Sequence, residues 1–274
     1  VVARVFAGQA PPVEASRLLR AAAGHFAARG LTRDATIALT AFCRDEACAP
    51  LRALVERHYG PSFHAHSLGG AITLGKTGMG AFMGHSPTEG GEGGRERYAF
   101  FSLAHCGVDT GGALGTMQRE GRAQPSSGCG ALIGALGYVR DGGAAAQTEA
   151  QKQAWRRRES LRISRLDPEF DLLCQRVDAA MDATDGPDAT KMDLADMTLL
   201  AVSAARQDLE ELIAEMVDPA AADYCVLSGV HVHNWAPVFG GDEPNVEFVI
   251  PTACYSVVQG ERLNHDLLEE PPVA

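Results

Sequence analysis

Short apolar runs alternate with helical patterns along this chain, and few architectures satisfy both. Thr36-Ile37-Ala38-Leu39-Thr40-Ala41-Phe42 and Tyr98-Ala99-Phe100-Phe101-Ser102-Leu103 are rich in strand formers and read as buried strands, the second ending at His105. Helical spacing covers Val13–Arg29, with Leu18, Leu19, Ala22 and Phe26 on one face, and Ala49–Tyr59, with Leu51, Leu54, Val55 and His58 in register. A helix is expected to begin near Cys129, and two more over Pro168–Met181 and Leu194–Val217, with a turn at Asp185-Gly186-Pro187-Asp188 between them. Ala71–Leu74, Tyr224–His231, Val246–Ile250 and Cys254–Val258 complete the expected strands. The alternation predicts an α/β fold, a central, mainly parallel sheet flanked by helices. Functional groups in such sheets gather where strands end. With no repeat and no long linker, residues 1–274 read as one domain, with a helical arm over about 1–33 and a loose tail over about 262–274.

Charge narrows the function. Lys and Arg number 24 and Asp and Glu 35, a formal charge of −11. That balance argues against a general nucleic-acid binder, which needs a basic footprint. The Arg-bearing stretch Gln147–Arg165 reads as a solvated helical face. No run approaches the roughly 18 apolar residues that span a bilayer. The opening Val1-Val2-Ala3-Arg4, without methionine, suggests a trimmed precursor.

The seven cysteines, Cys43, Cys48, Cys106, Cys129, Cys174, Cys225 and Cys254, are odd in number and irregularly spaced. A reducing compartment fits better than a disulfide framework. Cys43, His105 and Cys129 each fall at an expected strand end or helix start. Two thiolates and an imidazole would make a three-ligand zinc site with an open fourth position. On residues alone the plainer reading stands beside it, since a cysteine in a strand is usually a small buried hydrophobe. His231 and His233 share a strand face, as metal ligands or as a hydrogen-bonded pair; His64, His66 and His85 sit near glycine-rich loops.

A set of short motifs, in order, adds to this. Cys43-Arg44-Asp45-Glu46, Gly69-Gly70, Thr77-Gly78-Met79-Gly80-Ala81, His85-Ser86-Pro87 and Gly94-Arg95-Glu96-Arg97-Tyr98 precede Cys129-Gly130-Ala131-Leu132 and His233-Asn234-Trp235. Val246-Glu247-Phe248-Val249 and Pro251-Thr252 follow. Together they resemble the limiting-CO2-inducible protein B family, relatives of the β-carbonic anhydrases. The resemblance implies a β-carbonic anhydrase-like fold, a homodimer or related hetero-oligomer, and zinc on Cys43, His105 and Cys129. It implies hydration of CO2 to bicarbonate by zinc-bound hydroxide, with Asp45 and Arg44 beside the metal. Gly78, Met79, His85 and Arg95 are carried over as a substrate pocket. The order Cys-Arg-Asp differs from the Cys-x-Asp-x-Arg of ordinary β-carbonic anhydrases, so Arg95 and Arg97 are further candidates for the arginine. An algal member would work in the chloroplast stroma, any other in the cytoplasm.

The chemistry agrees with these roles. Zinc can lower the pKa of water from 15.7 to about 7. A carboxylate accepts hydrogen bonds only, so Asp45 could take the hydroxide's proton and aim a lone pair at CO2. An arginine beside it would hold it ionised and off the metal. Cys48, Cys174, Cys225 and Cys254 read as structural, and Cys106, next to His105, is expected to point elsewhere if His105 faces the zinc. Two other functions are carried: a catalytically silent zinc-binding partner or scaffold in inorganic-carbon handling, and a nucleotide site at Gly70-Ala71-Ile72-Thr73-Leu74-Gly75-Lys76-Thr77. That stretch matches the P-loop pattern, but its variable residues read as strand and Gly78-Met79-Gly80 as poor helix.

Overall fold

The computed structural model describes residues 1–87, 94–119, 121–142, 167–183, 188–235 and 246–268. Its helices are α1 (Val2–Val5), α2 (Ala15–Ala27), α3 (Ala49–Tyr59), α4 (Gly75–Met83), α5 (Gly130–Arg140), α6 (Pro168–Ala183) and α7 (Leu194–Met216). The strands are β1 (Val13–Glu14), β2 (Ile37–Phe42), β3 (Phe63–His64), β4 (Glu96–Asp109), β5 (Thr116–Met117), β6 (Ser126–Ser127), β7 (Ala222–Trp235), β8 (Val246–Val258) and β9 (Glu261–Asn264).

Seven strands form one sheet in the order β1-β8-β7-β4-β2-β3, with β9 added to β8. The pairs β7–β4, β4–β2 and β2–β3 are parallel, and β8 returns antiparallel to β7. β5 and β6 make a separate antiparallel pair. Period-two alternation gives β4 two buried faces. Tyr98 and Phe100 pack with Met79 and Phe82 of α4 and Leu209 and Ile213 of α7. Ala99 and Phe101 join Leu18 and Phe26 of α2 and Leu51 and Val55 of α3. Asp193 starts α7 with a capping box: its carboxylate accepts from the Ala195 and Asp196 N–H groups at 2.8 and 3.0 Å, while Asp196 accepts from the Asp193 N–H.

Several expectations need correction. Ala71–Leu74 is not a strand, and α4 runs straight through Gly78-Met79-Gly80. Both sequence arguments against the P-loop therefore fail. What disfavours it is that no strand leads into the motif and that Lys76 is paired with Glu215 at 2.5 Å. β4 continues four residues beyond His105, so that histidine lies within a strand rather than after it. The two expected strands at the C-terminal end are one, β8, with Pro251 inside it. Pro251 is tolerated because the outer edge of β8 pairs β1 only at Phe248 and Val249 and β9 only from Tyr255 on. The start of the expected loose tail, residues 262–264, belongs to strand β9, and Val13–Glu14 of the expected arm is strand β1. The arginine-bearing stretch 147–165, the turn residues 185–187 and the tail 269–274 lie outside the described residues.

Candidate metal centre

Three elements converge at the ends of β2 and β4. Cys43 follows β2 and is held by a parallel bridge to Ser67. His105 lies near the end of β4, opposite His231 of β7. Cys129 is the N-cap of α5, in extended backbone, with its thiol not used as a cap. All three side chains are buried. The Cys43 and Cys129 sulfurs are 4.0 Å apart, and the ligand atoms of the three residues lie within 4.8 Å of one another. Either sulfur can donate in this contact; the contact, with His105 beside it, lowers the Cys43 thiol, while the contact and burial push Cys129 up. A divalent cation would displace any proton the two thiols retain. His105 Nε2 is buried without a hydrogen-bond partner among the described residues. An unpaired ring nitrogen in a cluster with two cysteine sulfurs suits a cation that takes N and S donors.

Asp45 stands beside this cluster, its Oδ2 3.8 Å from His105 Nε2. Arg119 grips it with both ends of the guanidinium, Nη1 to Oδ1 at 2.8 Å and Nη2 to Oδ2 at 2.7 Å. The other Arg119 donors go to Ser126 Oγ, the Ser127 carbonyl and Glu46. The Ala47 N–H adds a bond to Asp45 Oδ1 at 3.0 Å. Burial would raise the Asp45 carboxyl, but the Arg119 fork and the Ala47 N–H overcome it and bring it to about 2. On its outer side Arg119 lines an open cleft of about 410 Å³ with Glu46, Arg122, Ser126 and Ser127.

Arg44, expected beside Asp45, is not there. It points outward, 57% exposed, and pairs with Glu169 of α6, which also accepts from the Leu68 N–H. Arg44 lies in the bend that follows β2 and turns its side chain out to α6, while Cys43 and Asp45 on either side of it face the cluster. Arg95 and Arg97 are also elsewhere. Arg95 clamps Asp223 and the carbonyls of Pro219, Ala220 and Ala222 just before β4 begins, roughly 30 Å of strand from His105. Arg97 lies 3.9 Å from the same aspartate.

The expected substrate pocket is not assembled within one chain. Met79 is fully buried among Phe82, Tyr98 and Phe100, Gly78 packs against Leu74, and His85 lies against Phe63. The residue that sequence reasoning missed is Arg119, which sits between β5 and β6, 74 residues from its partner. A lone arginine in irregular chain carries no signal of that kind.

Behind His105 lies a second polar cluster. His231 and His233 lie on one face of β7, with Glu247 opposite His233 on β8. Their ring nitrogens each lie 2.7 Å from Glu247 Oε2. Burial would raise Glu247, and the two imidazoles overcome it, to about 2. Burial, then His231, lower His233 and favour its neutral form. The rest of the expected motif is structural: Asn234 Nδ2 donates to the Val108 carbonyl and Trp235 Nε1 to that of Thr116, pinning β5 to the sheet. Cys106 and Cys225 are buried among apolar neighbours, but Cys48 lies against His105 and His233.

A mixed sheet flanked by helices, with a Cys–His–Cys cluster at its strand ends, defines a β-carbonic-anhydrase-like fold carrying groups that could bind a metal. A family model described as limiting CO2-inducible proteins B/C beta carbonic anhydrases matches residues 13–258. The chain belongs to that family. It is similar to the crystal structure of limiting CO2-inducible protein LCIB, at 32% identity over 93% of this chain and 94% of that one, TM-score 0.71. It shares its fold with PtLCIB4, a homolog of LCIB, at 17% identity over 96% of this chain and 98% of that one, TM-score 0.72. No curated protein matches the sequence.

Proposed function

We propose that this protein is a zinc-dependent carbonic anhydrase that interconverts CO2 and bicarbonate, with Cys43, His105 and Cys129 as the metal ligands. One observation carries the reading: the two sulfurs and the unpartnered His105 Nε2 converge beside a carboxylate that Arg119 keeps ionised. When bound, the metal supplies the Lewis acidity that brings a water's pKa toward neutrality. The chain does the rest. Asp45, acceptor only, takes the hydrogen bond of the attacking water and fixes which lone pair faces CO2. Arg119 holds Asp45 in place with a bidentate grip and keeps its charge. Arg119, Arg122 and the serines of the cleft give the anionic product a polar exit. A homodimer, or a related hetero-oligomer, is part of the reading; light scattering on a chain of 28.9 kDa tests it.

The second reading is a silent partner subunit or scaffold. It draws on Asp45 Oδ2 lying 3.8 Å from His105 Nε2, near enough to become a fourth ligand and close the site. Stopped-flow CO2 hydration, with elemental analysis and a chelator control, separates the two. Zinc-loaded protein faster than buffer, with the rate lost to chelator, supports the enzyme. Zinc-loaded protein that leaves the buffer rate unchanged supports the silent subunit and overturns the enzyme.

A further inference from the structure

We propose that His233, backed by Glu247, is a positioning residue that fixes which nitrogen His105 presents to the metal. The inference rests on the metal reading of Cys43, His105 and Cys129.

Three adjacent strands build the arrangement. His105 Nδ1 of β4 lies 3.0 Å from His233 Nε2 of β7, and His233 Nδ1 lies 2.7 Å from Glu247 Oε2 of β8. His231 Nε2 approaches the same oxygen at 2.7 Å. The three rings are buried, so water is not a ready substitute partner. A carboxylate has no proton to give, so the direction of the chain is set at its Glu247 end. At 2.7 Å from a carboxylate oxygen each of these nitrogens is favoured as the one that carries the N–H, although neither contact has hydrogen-bond alignment. A neutral His233 with its one N–H at Nδ1 has only a lone pair at Nε2. That lone pair accepts the Nδ1–H of His105. His105 then keeps its own lone pair at Nε2, the atom left without a hydrogen-bond partner, 3.8 Å from Asp45 Oδ2. Support of this kind orients a ligating histidine and raises its basicity. A second cation among His231, His233 and Glu247 is the rival arrangement, and metal stoichiometry distinguishes it.

The test uses the full chain. Zinc affinity is measured in competition with a chromophoric chelator for the parent protein, His233→Ala, His233→Gln and Glu247→Gln. His233→Ala is expected to weaken zinc binding about 10–100-fold. His233→Gln recovers part of the loss, because its side-chain oxygen can accept the His105 Nδ1–H. Long-range 1H–15N correlation on the zinc-loaded parent protein needs no variant. It should show the proton on Nδ1 of both His105 and His233, and elemental analysis should find one metal per chain. Parent-like affinity in His233→Ala, a His233 proton on Nε2, or a second metal lost in His231→Ala would each overturn the proposal alone. A parent protein that binds no metal overturns the metal centre and this proposal together.

Discussion

The Asp45 carboxylate accepts from Arg119 at both oxygens and from the Ala47 N–H at one. Its neighbour Arg44 is spent on Glu169 at the surface. Asp45→Asn should lose most CO2 hydration while keeping its metal, measured by stopped flow beside elemental analysis, because the carboxylate is not among the proposed ligands. Arg119→Ala should lower kcat/KM more than Arg44→Ala, since only the former releases Asp45. A loss of about 10²-fold is the scale set by misplacing a catalytic group by about 1 Å. Acid adds a further test. Asp45 and Glu247 are held at about 2 in the folded chain, below their ordinary values of 3.8 and 4.5. The unfolded chain takes up these protons first. Their contribution to the metal-free protein is complete above about pH 5 and is lost as pH falls through 4 toward 2. Urea midpoints that rise across that window in the metal-free protein would contradict the sign.

At the level of elements, the site depends on how closely β5 lies on the end of β4. A Cβ added at Gly107 would sit 2.1 Å from the Thr116 carbonyl oxygen, and β5 opens the segment that carries Arg119. Gly107→Ala should therefore push β5 away, costing about 1–3 kcal/mol by urea denaturation, the usual scale of overpacking, and should reduce hydration activity as well. Full stability would mean that β5 yields freely. Two elements were misread for physical reasons. Ala71–Leu74 has strand-like composition but no neighbour to pair with, and β8 looked divided because Pro251, usually a breaker, falls where the strand lacks an outer partner.

Across the whole molecule, the proposed ligands come from the end of β2, from β4 and from the N-cap of α5, so a bound metal would tie the start of α5 to two strands already paired in the sheet. Zinc at about 100 times its Kd should stabilise the fold by about 2.7 kcal/mol, seen as a rise in Tm that chelator reverses. Cys43→Ser should abolish that rise. A Tm unmoved by zinc in the parent protein would count against a metal centre.

The sequence by itself determined the α/β alternation, because apolar period and helix spacing are local properties of the chain. The span of α3 and the start of α5 at Gly130 followed from the same local signals. The ordered motifs pointed to Cys43, His105 and Cys129, and the fold brings those three side chains together. Only the tertiary structure decided which arginine meets Asp45. Arg44, adjacent in sequence, is turned out to Glu169 by the bend after β2, whereas a bidentate partner arrives from 74 residues away once β5 and β6 are folded over the site. It also decided the His105–His233–Glu247 contacts, which depend on the register of three strands, a relation that no single segment encodes.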